Sequence, residues 1–286
     1  MNRVAVAAIA VGLMAVSSAL ASAAEPSAAE IVERNVAARG GLDAWRKVQT
    51  MVWIGHIESA HAPVPIMQFK LEQKRPNKTR LQIHARGDKS VRVFDGTNGW
   101  KLSPARGRSE AQPYTPQELK SAQAGHGIDG PLIDAAARGN PVVLESVDEL
   151  GGRRAYRLSV RLASGVDERV WVDAESYLDV RYDRMVEGQA RAPRWVSATY
   201  GDYRTVEGLR IPFVITTGGG PGTTPDRMQL ETVVLNAPLD DSTFGNPAAR
   251  DPRHQVRSSV APRGPAPSAP STSPTAPSDE LGSAPR

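Results

Sequence analysis

Hydrophobic positions follow three different periods along the chain. Residues 4–16 form an unbroken apolar run of thirteen residues after Arg3. Between 27 and 39 the period is close to four: Ile31, Val32, Asn35, Val36 and Ala38 recur after Ser27-Ala28-Ala29-Glu30, whose S-x-x-E form is a capping box, and Gly40-Gly41 stops the pattern. This predicts a helix over 27–39, followed by a short helical turn over 42–48 that carries Trp45. From Met51 onward the period is two, the mark of strands with one apolar and one polar face. Met51, Trp53 and Ile57 share a face, as do Met67, Phe69 and Leu71 with Lys70 and Glu72 opposite, and 79–84 alternates almost strictly around Leu81. Val91 and Val93 continue the pattern, and Asp95-Gly96-Thr97-Asn98-Gly99 reads as a tight turn before Trp100 and Leu102.

The meander is interrupted between Gln112 and Asn140. Thr115-Pro116-Gln117-Glu118 joins an N-cap, a proline at the first helical position and a capping glutamate, so a helix is predicted over 116–123. A second is predicted over 131–138, closed by Gly139-Asn140. Strands resume at 142–147, 156–162, 166–172, 178–183, 195–203, 211–216 and 228–235. The expectation is an α+β chain, mainly antiparallel β: a strongly curved sheet or incomplete β-barrel of about ten or eleven strands with a few covering helices. Periodicity alone does not tell a barrel from a sandwich.

The first run now gains a meaning. A basic residue, an apolar segment well short of the ~20 residues that span a bilayer, and Ala21-Ser22-Ala23 have the layout of a secretory signal peptide cleaved near Ala23. Export to the periplasm is expected, with no transmembrane span. The chain has no cysteine, so neither N-terminal lipidation nor disulfides are expected. After about residue 246 the composition turns to Pro, Ala, Ser, Thr and Arg, which cannot offset the entropy of folding. The expected organisation is a signal peptide at 1–23, one domain at 24–246 and a disordered tail at 247–286. The net charge of +4 invites a nucleic-acid reading. One positive charge belongs to Arg3 and a net two to the tail, leaving about +1 for the domain, so no nucleic-acid partner is expected.

Catalytic signatures are sparse. There is no G-x-S-x-G elbow, cysteine nucleophile or H-E-x-x-H. His56 and His61 are five apart and do not share a strand face, so no metal or cofactor is expected. Gly218-Gly219-Gly220-Pro221-Gly222 reads as a hairpin loop, because Pro221 and Pro225 stand where a phosphate-binding helix would begin. Asp167, Glu168, Asp173 and Glu175 cluster at a predicted hairpin, where such residues bond their own backbone. What the chain does offer is bulk: all five tryptophans lie in the domain and four fall on strands. Each could be core; together they could line a hydrophobic cavity. By strand face and bulk, the candidate lining is Trp53, Met67, Phe69, Leu71, Leu81, Trp100, Tyr156, Trp171 and Trp195.

Four segments carry a family resemblance: Gly40-Gly41-Leu42-Asp43-Ala44-Trp45; Phe94-Asp95-Gly96-Thr97-Asn98-Gly99-Trp100; Val170-Trp171-Val172-Asp173-Ala174-Glu175-Ser176-Tyr177-Leu178; and Tyr200-Gly201-Asp202-Tyr203 before Gly208-Leu209-Arg210-Ile211-Pro212. In order and spacing, over about 27–246, the chain resembles the outer-membrane lipoprotein-sorting (LolA-like) family. The resemblance implies an incomplete antiparallel barrel whose concave apolar face, lidded by helices, shelters acyl chains. At ~0.8 kcal/mol per CH₂, a sixteen-carbon chain resists exposure to water by about 12 kcal/mol, so such a cargo needs a carrier. The expected function is a monomeric periplasmic lipid or lipoprotein carrier or chaperone with no catalytic residues. It would bind acyl-chain lipid or lipoprotein cargo and make transient contact with inner- or outer-membrane components. A sensor or interaction module that passes envelope signals to a membrane partner is the alternative, and an envelope enzyme the third.

Overall fold

A computed structural model describes residues 25–103, 108–162, 165–186, 194–218 and 224–250; the stretch expected to be an export signal and the stretch from 251 onward lie outside the described residues. Helix α1 (Ala28–Ala38) begins with the expected capping box: the Ser27 hydroxyl accepts from the Glu30 amide, and Glu30 accepts from the Ser27 amide at 2.8 Å. Gly40 follows with φ 113°, and a Cβ there would lie 2.5 Å from the Gly208 carbonyl oxygen. Glycine alone admits that close approach. Helix α2 (Leu42–Lys47) completes the N-terminal pair.

Thirteen strands follow: β1 (Thr50–Glu58), β2 (Ile66–Lys74), β3 (Lys78–Ala85), β4 (Asp88–Phe94), β5 (Gly99–Ser103), β6 (Arg108–Pro113), β7 (Val142–Leu150), β8 (Arg153–Arg161), β9 (Asp167–Asp173), β10 (Asp179–Val186), β11 (Arg194–Val206), β12 (Leu209–Thr217) and β13 (Asp226–Leu235). Between β6 and β7 stands α3 (Pro116–Gln123), with the predicted bounds and the Thr115–Glu118 capping box. The strands form one curved, unclosed antiparallel sheet in the order β6-β5-β4-β3-β2-β1-β13-β12-β11-β10-β9-β8-β7. Two meanders are therefore joined where β13 returns to β1. Its two free edges, β6 and β7, are neighbours in sequence, so the connection over 114–141 carries the chain from one edge of the sheet to the other.

The sheet exceeds the expected ten or eleven strands. Strand β6 reads Arg-Ser-Glu-Ala-Gln-Pro, with no apolar alternation to betray it; pairing with β5 makes it a strand. The helix expected over 131–138 is instead a succession of turns. Asp134 takes a left-handed conformation, φ 55°, which breaks an α-helix, and its carboxylate is gripped by Arg46 Nε and Nη2 at 2.8 and 2.6 Å.

Apolar side chains of the inner face divide into two clusters. One gathers Met51, Phe69, Ile211, Phe213 and Leu230 around Trp45 and Ile133. The second gathers Tyr156, Leu158, Val160, Val170 and Val172 around Ile31 and Leu132. A third, on the outer face, packs Phe244 against Val91 and Val93. It anchors the segment after β13, which includes 3-10 turns at Asp241–Phe244 and Pro247–Arg250; the second of these lies within the stretch expected to be tail.

Candidate functional site

Strand register assigns each candidate residue to a face, because side chains alternate and directly paired residues share a side. One ladder runs Val233, Trp53, Leu71, Leu81 across β13, β1, β2 and β3. Met67 and Phe69 pair with Ile57 and Gly55 on the same side. Six of the nine candidates thus face inward: Trp53, Met67, Phe69, Leu71 and Leu81 in the first half of the sheet, and Tyr156 in the second, where it is buried beneath α1.

The other three do not. Trp100 pairs with Val93 and packs beside Phe244 on the outer face. Trp171 pairs with Arg157 and Arg181; its indole N–H donates to Asp148 at 2.8 Å, and the Arg181 guanidinium lies 4.6 Å over its ring. Trp195 is exposed beneath Arg169. Bulk misled here: an outward tryptophan can be covered by a stacked arginine, as Trp171 is, or by a returning segment, as Trp100 is by Phe244.

The roof over the inner face has two parts. Helices α1 and α2 form a plug. Ile31 and Asn35 are wholly buried, and Asn35 donates to Asp179 Oδ1 and to the Tyr177 carbonyl, both at 2.8 Å. Arg39 Nη1 lies 3.4 Å from Asp179 Oδ2, and its guanidinium stacks 4.5 Å over Trp45. Burial pushes the Asp179 carboxyl upward, opposed by Arg39 and Asn35. Arg75 closes the neighbouring turn with a bidentate pair to Asp129 at 2.5 and 2.6 Å.

Helix α3, by contrast, buries no residue. It is held by a polar latch: Lys101 Nζ lies 2.8 and 2.6 Å from the two oxygens of Glu118, Arg92 Nη2 lies 3.3 Å away, and Asn77 Nδ2 donates to the Ala122 carbonyl at 3.2 Å. Partial burial alone would raise the Glu118 carboxyl, but Lys101, the Thr115 amide and Arg92 outweigh it and hold it at about 2.

A cavity opens on either side of α3. One, of about 430 Å³, is walled by Met67, Leu81 and Ile83 and rimmed by Arg92, Lys101 and Glu118. The other, of about 320 Å³, is lined by Val166, Tyr182, Arg184 and Tyr200 and by His126 just beyond the helix. At its base Glu168, 4% exposed, accepts from the Tyr182 hydroxyl at 2.6 Å and pairs with His126 Nε2. Burial and the Glu168 charge push the Tyr182 phenol well up, and burial does the same to Tyr200. In addition, the Trp53 indole N–H is buried without a hydrogen-bond partner among the described residues, a costly condition. Two roomier clefts lie outside this face, one of about 650 Å³ beside α2 and one of about 680 Å³ between α1 and 132–142.

Sequence reading missed the latch and the His126–Glu168–Tyr182 chain. Glu168 was grouped with hairpin carboxylates, whereas it points inward from β9; Asp173 is the one that holds the turn, accepting from the Ser176 amide at 2.7 Å. His56 pairs with Glu231, and His61 donates to the Thr224 carbonyl. Among the described residues no cluster of three or more His, Asp or Glu side chains is placed to hold a metal, and no helix is long and apolar enough to cross a membrane.

No protein-family profile and no curated protein sequence matches the chain. Solved structures do. A LolA superfamily protein from Nitrosomonas europaea superposes with a TM-score of 0.52 at 12% identity, over 78% of this chain and 99% of that one. An outer membrane lipoprotein-sorting protein domain from Vibrio parahaemolyticus gives 0.51 at 11%, over 76% and 95%. A DUF1329 family protein from Desulfovibrio piger gives 0.51 at 13%, over 76% and 97%. At such identities the likeness establishes the fold.

Proposed function

We propose, from the LolA-like fold of this chain as premise, that it is a periplasmic carrier or chaperone that shelters acyl chains of a lipid or lipoprotein on the inner face of its open sheet, without catalysing a reaction. The observation that carries this reading is the contrast within the roof: the apolar row Trp53-Leu71-Leu81 ends, at Leu81, in a cavity shared with Glu118 of a helix that buries none of its own residues. Withdrawal of α3 joins the two flanking cavities and uncovers the end of that row, while the α1–α2 plug keeps the rest of the core intact. The cavities in the closed state are small for a long chain, so loading requires α3 to move. A carrier in a compartment without ATP needs a roof of this kind, stable enough to close and weak enough to open on contact with a donor or acceptor.

The proposed organisation keeps the export signal at 1–23, the folded part up to about residue 246 and the Pro-rich tail beyond it. The test is extraction. The mature chain is expressed with its export signal and purified without detergent, and its organic extract is analysed by mass spectrometry. A stoichiometric lipid or lipopeptide is expected; an extract that stays empty after lipid is added back contradicts the proposal.

A second reading, an interaction module, is favoured by one observation. The apolar cleft between α1 and 132–142 adjoins the free edge strand β7, where Val143 is 59% exposed. A stable protein partner that is lost on Val143→Lys, with no lipid in the extract, would favour it.

A further inference from the structure

The inner-face ladder changes character along its length. Trp53, Leu71 and Leu81 pair in a row across β1, β2 and β3; the same row continues as Arg92 on β4 and Lys101 on β5. At ~4.8 Å per strand the row from Trp53 to Lys101 spans about 19 Å, the reach of a long acyl chain with its head at the cationic end. We propose that the cargo is an anionic amphiphile, an acyl chain headed by a carboxylate or phosphate, and that its head takes the place of the Glu118 carboxylate between Lys101 and Arg92. This rests on the carrier reading above and names the class of its ligand.

Two cations side by side at the end of an apolar row, in a cavity otherwise lined by Met67, Leu81, Ile83 and small, polar or acidic residues, repel each other and call for an anion. In the closed protein α3 supplies it: one carboxylate bridges both, at 2.6 to 3.3 Å. Glu118 is chemically what a fatty-acid head would be. Glu110 shares the rim of that cavity, so when Glu118 leaves, two cations face one carboxylate and the site again calls for an anion. The exchange is easy because α3 forfeits no buried side chain when it lifts. Directly behind the two cations lie Leu81 and Ile83, so a head seated there feeds its chain onto the apolar wall. Cargo head and lid carboxylate then compete for one place, and loading opens the lid by displacing its latch.

The test uses the delipidated mature chain and calorimetric titration with dodecanoate, dodecyl phosphate and dodecanol below their micelle concentrations. Both anions are expected to bind about tenfold more tightly than the alcohol. The double substitution Arg92→Gln with Lys101→Gln unlatches the lid for every ligand, so all three affinities shift, and it should abolish the difference between the anions and the alcohol. Glu118→Gln, which leaves both cations in place, should strengthen anion binding more than alcohol binding. Inorganic phosphate and acetate at equal concentration should not displace the amphiphiles; equal displacement would mark a free-anion site and overturn the proposal. Equal affinity for acid and alcohol would overturn it and leave the carrier reading standing. A preference for anions that survives the double substitution would also overturn it. Failure of all three ligands to bind would remove both.

Discussion

Helices α1 and α3 cover the same face of the same sheet and start from the same local chemistry, a capping box of Ser27 with Glu30 and of Thr115 with Glu118. Their attachments differ completely. Helix α1 drives Ile31 and Asn35 into the core and ties itself to β10 through a buried Asn35–Asp179–Arg39 network. Helix α3 buries nothing and hangs on Glu118, a residue that serves its cap and its ion pairs at once. Local propensity decides that both are helices; tertiary burial decides that one is a plug and the other a lid. On the carrier reading proposed above, an open sheet needs both, since a roof made only of plugs would never load and one made only of lids would not fold.

The contrast can be broken most severely at its buried end. Asp179→Ala leaves Arg39 inside the protein without its carboxylate and should cost about 3–5 kcal/mol, read as a lower urea midpoint at unchanged slope. Next in size, Ile31→Ala should cost about 3 kcal/mol through the cavity it leaves. The equivalent truncation in the lid, Leu119→Ala, should stay below about 1 kcal/mol; similar losses at both sites would abolish the distinction between plug and lid. Smaller still in stability, Glu118→Gln should shift unfolding by under about 1 kcal/mol while amide exchange over 116–123 rises severalfold and that of α1 does not change.

A pH dependence sharpens the same point. The Glu118 carboxyl is held at about 2, below its ordinary value of 4.5. A depressed carboxylate stabilises the closed lid in full above the ordinary value, and that contribution fades as pH falls from about 4.5 toward 2. The chain has no cysteine, so Ser121→Cys offers a single site for a spin label on α3. Label mobility should hold constant from neutrality to about pH 5 and rise below that, and the rise should be absent when Glu118→Gln is combined with the label. A lid that loosens between pH 8 and 6 would mean that something other than Glu118 holds it.

Local signals in the sequence located the elements well. The capping boxes set the starts of α1 and α3, and the period of two located the strands that alternate. Where alternation is missing, as in β6, only the neighbouring ladder makes the strand, and where Asp134 turns left-handed a long-range pair with Arg46 overrides a helical pattern. The candidate site was legible in part. Leu71 and Leu81 are bulky, alternate with polar residues and face inward, whereas Trp100, Trp171 and Trp195 satisfy the same criteria and face outward under Phe244 and arginines. Periodicity gives two faces and does not say which is concave. The latch was illegible for another reason: Arg92, Lys101 and Glu118 look like ordinary surface charges until the sheet curves and sets the helix over them.

The central claim, that an acyl chain lies along the inner face beneath α3, is tested most directly by tryptophan quenching with a brominated dodecanoate. Trp53 is on that face, Trp195 on the other. Saturable quenching that disappears in Trp53→Phe and persists in Trp195→Phe is the predicted result; no saturable quenching, or quenching indifferent to Trp53→Phe, would contradict it.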